Sequence, residues 1–70
     1  MESRTDLFPQ RLRHLREQRG ISRRVLSELS GLSKNMVAVY ENGETEPSLS
    51  ALLALSDALD VSVDRLLGRE

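Results

Sequence analysis

The sequence predicts an all-helical fold, a bundle of five short helices in one domain over residues 8–68. Three observations carry that expectation. Gly, Pro or a capping Ser interrupts the chain roughly every ten to fifteen residues. Between the interruptions, apolar residues recur at helical spacing. β-branched residues are sparse and never alternate over a strand-length run.

The first helix is expected from about Pro9 to Arg19. Pro9 suits a first-turn position, where no amide donor is needed, and Gly20 supplies a left-handed stop. Phe8, Leu12 and Leu15 form its apolar stripe, with Arg16 on the border and His14 on the solvent side. Ser22 is a suitable N-cap for a second helix ending near Ser30 and Gly31, in which Val25, Leu26 and Leu29 are expected to face inward. Arg23 and Arg24 occupy its first turn, where two cations oppose the helix dipole at a cost of about a few tenths of a kcal/mol each. A partner outside the helix would offset that cost.

Gly31 then turns the chain, Leu32 plugs the corner, and Ser33 is expected to cap a third helix from Lys34 to about Asn42, closed by Gly43. Two short helices joined by a tight Gly-containing turn form the unit that lays its second helix in the major groove of DNA. Glu44-Thr45-Glu46-Pro47 reads as a loop. Ser48 caps a fourth helix reaching Leu59, whose Leu49, Leu52, Leu53, Leu55 and Leu59 make a broad apolar face. Ser62 caps a last helix carrying Val63, Leu66 and Leu67, stopped by Gly68. Leu55, Val63, Leu66 and Leu67 exceed what one side of a small bundle buries, which predicts a two-fold homodimer through the last two helices.

The third helix separates into two arcs. At about 100° per residue and with Lys34 at zero, Asn35, Ala38, Val39 and Asn42 fall within about 140° on one side. Met36, Val37, Tyr40 and Glu41 fill the opposite arc, which holds the bulky apolar groups and is expected to face the core. The first arc combines a cation, two amides and two small apolar groups. Amides pair with adenine edges, Lys with guanine, and methyl groups with thymine, so this face suits the major groove. A solvated face more often carries Glu and Lys, although so short a pattern leaves both readings open. Glu41 lies at the edge of the inward arc, and a buried carboxylate needs a partner to stay ionised. Arg16 is the candidate, in a structural pair fixing the third helix against the first.

Composition narrows the function classes. With no cysteine and one histidine, a thiolate zinc site or a histidine-based metal cluster is excluded, and no cofactor is expected. The chain has no cysteine nucleophile, no glycine-rich phosphate loop and no carboxylates arranged around His14, all of which argue against an enzyme. No run of 18 apolar residues spans a membrane, and Met1 to Gln10 lacks a signal-type apolar stretch, so the expected address is the cytoplasm. The net charge of −1 conceals a dipolar chain. Residues 1–34 carry eight Arg or Lys against four acids, leaving +4, and residues 35–70 carry two against seven, leaving −5. One half can meet phosphate, although charge alone does not distinguish that from a solvated face.

The motifs that combine these features run Leu12-x-x-Leu15-Arg16-x-x-x-Gly20-Ile21-Ser22, then Leu26-x-x-Leu29-x-Gly31-Leu32-Ser33. Val37-x-x-Tyr40-Glu41-Asn42-Gly43 follows, and then Pro47-Ser48-Leu49 with Leu52. Over roughly Phe8 to Gly68 this resembles the Cro/repressor-type, or XRE, helix-turn-helix family. The resemblance implies a lambda-repressor-like bundle whose third helix enters the major groove. It places Lys34, Asn35 and Val39 at base-reading positions, with Ser33 and Ala38 beside them. Arg23 matches a position where the family commonly has Gln on a backbone phosphate, and Asn42 one near phosphate at the end of the recognition helix. Arg16 and Glu41 match an ion pair between the first and third helices.

Four departures stand out. Arg23 changes the geometry of its phosphate contact, and Ser27 stands where a small Ala is common. Glu44 and Glu46 make acidic a loop that in some relatives puts cations on phosphate. Asp60 occupies a site where Gly often ends the fourth helix. The function implied is sequence-specific binding of double-stranded DNA by a transcriptional repressor, as a homodimer on an inverted-repeat operator. The alternative is an antitoxin that masks a toxin partner and represses its own operon.

Overall fold

Three serines define where three of the helices begin. The hydroxyls of Ser22, Ser48 and Ser62 accept hydrogen bonds from the amides of Val25, Ala51 and Arg65 at 3.0, 3.1 and 3.0 Å. In the computed structural model, which describes residues 7–69, the helices are α1 Phe8–Gln18, α2 Arg23–Leu29, α3 Met36–Glu41, α4 Leu49–Leu59 and α5 Val63–Leu66. No strand occurs among the described residues. Residues 1–6 and 70, which enter the charge count and the reading of the amino terminus, lie outside them.

The core takes buried side chains from all five helices. Phe8, Leu12 and Leu15 of α1 meet Leu26 of α2, Val37 and Tyr40 of α3, Ala51, Leu55 and Leu59 of α4, and Leu66 of α5, all buried. Phe8 and Tyr40 meet edge to face, with ring centroids 5.9 Å apart and planes at 68°, the arrangement their quadrupoles favour. Leu32 packs on this core from the turn after α2, as expected of a corner plug. Gly31 in the same turn has φ +70°, a conformation that strains any residue with a Cβ. Asp60 ends α4 at φ 55°, so the left-handed residue there is not a glycine.

Several expectations are corrected. Val25 and Leu29 do not face inward: they are 40% and 63% exposed, and the buried positions of α2 are Leu26 and Ser27. α3 packs against α2, and the Ser27 hydroxyl accepts the Val37 amide of α3 at 3.1 Å, which puts Ser27 on the side of α2 that α3 covers. The apolar face of α4 is narrower than five leucines suggest. Leu49 and Leu53 are exposed, while Ala51 and Ser56 join Leu55 and Leu59 inside. Leu55 and Leu66 are wholly buried within the single chain, so they are not the surplus from which a dimer surface was deduced.

The third helix also starts later than expected. Its first residue is Met36, its N-cap is Asn35, and no side-chain cap comes from Ser33. Ser33 instead contributes its carbonyl, which accepts the Met36 amide at 2.9 Å and closes a turn ahead of the helix. Lys34 and Asn35 therefore lie on that turn, where placement by helical angle does not hold; it applies only from Met36 onward.

Candidate nucleic-acid interface

Local sequence sets the two ends of the helix-turn-helix. Ser22 caps α2 and leaves Arg23 and Arg24 exposed on its first turn. Arg24 approaches Glu28 one turn on, Nε to Oε2 3.5 Å, with both side chains mostly in solvent, a pair worth little to stability. The chain leaves α2 through Ser30, whose amide bonds the Leu26 carbonyl at 3.0 Å, and Gly31, whose amide bonds the Glu28 carbonyl at 3.1 Å.

The residues expected to read DNA form a run over the turn and α3. Ser33, Lys34 and Asn35 are exposed on the approach to α3, Ala38 and Val39 are half-buried on the helix, and Asn42 is exposed just after it. The Asn35 carbonyl accepts the Val39 amide at 3.1 Å, so these two residues, one turn apart, are joined by the first helical bond. On the inner side Val37 and Tyr40 are buried and Met36 packs on the core. The arc of α3 that carries bulky apolar groups thus points inward, and a thin face is left outward. Asn42 is not unengaged: its Nδ2 donates to Glu44 Oε2 at 3.1 Å, bringing a carboxylate to the end of this surface.

α3 is also held by a largely buried ion pair at the edge of its inward arc. Arg16 Nε donates to Glu41 Oε2 at 2.6 Å and Arg16 Nη2 to Glu41 Oε1 at 3.1 Å, a two-pronged charge-assisted contact. The side chains are 11% and 4% exposed. Arg16 Nη1 also donates to the Ile21 carbonyl at 2.9 Å, so the guanidinium ties the α1–α2 connection to the end of α3. The hydrogen bond from Glu41 raises the Arg16 guanidinium above its ordinary pKa, against the lowering effect of burial.

One polar contact in the motif went unread in the sequence. Ser27, wholly buried on α2, donates its hydroxyl to the Arg23 carbonyl at 2.9 Å and accepts the Val37 amide at 3.1 Å. The signal available in the sequence was a hydroxyl at a position otherwise filled by a small apolar residue. Among the described residues no group of His, Cys, Asp or Glu is placed to hold a metal ion, and no helix is long and apolar enough to cross a membrane.

Comparison with known proteins agrees with this arrangement. The profile of the Helix-turn-helix family matches residues 12–66. The HTH-type transcriptional regulator AnsR of Bacillus subtilis is 43% identical over 60 residues, covering 86% of this chain and 52% of that protein. Repressor protein C2 of Salmonella phage P22 is 40% identical over 63 residues, 90% of this chain and 29% of its own length. The chain therefore spans about half the length of AnsR and less of the phage protein. Among solved structures, the P22 c2 repressor in complex with a synthetic operator aligns with TM-score 0.84 at 38% identity, over 94% of this chain and all of that one. The restriction-modification controller protein C.AhdI of Aeromonas hydrophila aligns with TM-score 0.81 at 42% identity, over 84% and 89% of the two chains. With the five-helix core, the inward arc of α3 and the match over residues 12–66 in agreement, the chain belongs to the XRE-type helix-turn-helix family.

Proposed function

We propose that this protein is a transcriptional regulator that binds double-stranded DNA sequence-specifically, a cytoplasmic repressor acting as a homodimer on an inverted-repeat operator. The observation that carries the reading is the outer surface of α3 and its preceding turn. There Lys34, Asn35, Ala38 and Val39 stand over a helix whose other side is locked into the core by Val37, Tyr40 and the Arg16–Glu41 pair. The likeness to a repressor solved on its operator supports it. In this reading Arg23 and Asn42 meet phosphate, Ser33 and Lys34 meet the backbone or a guanine, and Asn35, Ala38 and Val39 meet base edges. One such surface covers only a few base pairs, so two copies on half-sites about 34 Å apart supply the specificity a single copy lacks.

Selection of bound sequences from a random duplex pool, followed by a salt titration on the selected site, tests the reading. Affinity is expected to fall steeply as salt rises, because each phosphate contact releases counterions. Arg23→Ala is expected to weaken binding nearly uniformly across sequences and reduce the salt slope by about one. Absence of binding at low salt, or binding indifferent to salt, refutes the function. Sedimentation showing one copy on the best site refutes the dimer.

A further inference from the structure

α3 has six residues, too few for a helix to hold itself in water, so its position is set by what it touches. Its N-cap residue, Asn35, makes no side-chain cap. Ser33 satisfies only the Met36 amide, through its carbonyl. The next amide, that of Val37, is buried, and its partner is the Ser27 hydroxyl of α2, ten residues earlier. The proton of that hydroxyl is committed to the Arg23 carbonyl, which leaves its lone pairs to serve as acceptor toward α3. The Ser27 carbonyl accepts the Leu32 amide at 2.8 Å, so the same residue also anchors the turn between the two helices.

We infer that Ser27 is a positioning residue for sequence reading, resting on the DNA-binding role proposed above. Its hydroxyl is the N-cap of α3, delivered across the turn from α2, and it sets the height and rotation of Asn35 and Val39 relative to Arg23. Asn35 lies two residues before the capped amide and Val39 two after it. Base-edge hydrogen bonds weaken steeply with distance and angle, so a small shift of α3 acts first on base reading. Phosphate contacts through long flexible cations tolerate the same shift, because they position without reading sequence.

Ser27→Ala tests this, with the affinity for the selected operator and for random duplex measured at a temperature where circular dichroism shows both proteins folded. The expected result is an about ten-fold loss on the operator, as for one lost buried hydrogen bond, with random-duplex affinity and salt slope unchanged. Amide exchange at Val37 is expected to accelerate more than at Tyr40. A purely structural Ser27 lowers the melting temperature and leaves the operator-to-random ratio where it was, and that result overturns the inference. Should Ser27→Ala not fold, Ser27→Cys, with its weaker acceptor, is read for the same ratio, where an unchanged value likewise overturns it. Wild-type protein that prefers no sequence refutes the DNA-reading role itself, a result obtained before any variant is compared.

Discussion

Replacing Arg16 with methionine removes three hydrogen bonds at once. Two go to Glu41, whose side chain is 4% exposed, and one to the Ile21 carbonyl. An orphaned buried carboxylate costs about 3 kcal/mol or more, and an unpaired carbonyl about 1 kcal/mol, so Arg16→Met is expected to destabilise by about 4 kcal/mol. Domains of this length hold only about 4–10 kcal/mol, so the variant is expected to be marginally folded. Glu41→Leu alone is expected to cost less, about 2 kcal/mol, because the guanidinium keeps its bond to Ile21 and has a long stem with which to reach solvent. The double variant buries neither charge and loses only the Ile21 contact and the pair itself, about 3 kcal/mol. Urea denaturation of all four proteins then gives a coupling of about 3 kcal/mol in favour of the pair. The sign with pH is fixed by the raised Arg16 guanidinium. Its stabilisation is complete below the unfolded-chain pKa and lost only as pH rises through the still higher folded one, so the cycle reads the same at neutral and mildly alkaline pH. Costs that simply add, with coupling below about 0.5 kcal/mol, refute the pair as the contact that holds α3.

Three further outcomes separate the readings of individual residues. Leu26→Ala is expected to cost about 2–5 kcal/mol and Leu29→Ala no more than about 0.5 kcal/mol, although both were expected inside; equal losses in chemical denaturation contradict the exposed position of Leu29. Repeating the site selection with Asn35→Ala and with Val39→Gln is expected to change the preferred bases, with a wrong base opposite Asn35 in the wild type costing about 1–3 kcal/mol. Unchanged preferences in both folded variants place base reading elsewhere. Glu44→Gln is expected to tighten DNA binding about two- to five-fold at low salt, by removing a carboxylate that engages Asn42, and the gain fades as salt screens it; equal affinities across salt show that Glu44 stands away from phosphate.

Spacing groups Val25, Leu26 and Leu29 into one stripe of α2 and gives no reason to bury the serine beside them. A hydroxyl goes inside when its proton and lone pair both find partners, and Ser27 finds them in Arg23 and Val37. The start of α3 has a related cause. Ser33 has the chemistry of a cap, but the cap of a helix after a tight turn is decided by whichever acceptor the neighbouring helix brings close.

The sequence alone determined the helical class, the helix order, the caps of α2, α4 and α5, the α1 stripe and the inward arc of α3. It also singled out Arg16 and Glu41 as partners 25 residues apart. These follow from local rules: cap chemistry, turn glycines and helical period act within a few residues, so they are legible in a string. Only the tertiary structure decided which of the leucines on α2 and α4 are buried, where α3 begins and what caps it. It also decided that Leu55 and Leu66 serve the core and leave no dimer surface of their own. Burial and capping at those sites depend on how closely α2, α3 and α4 approach one another. Spacing along a chain shows which side chains share a face, and it carries no information about what that face meets.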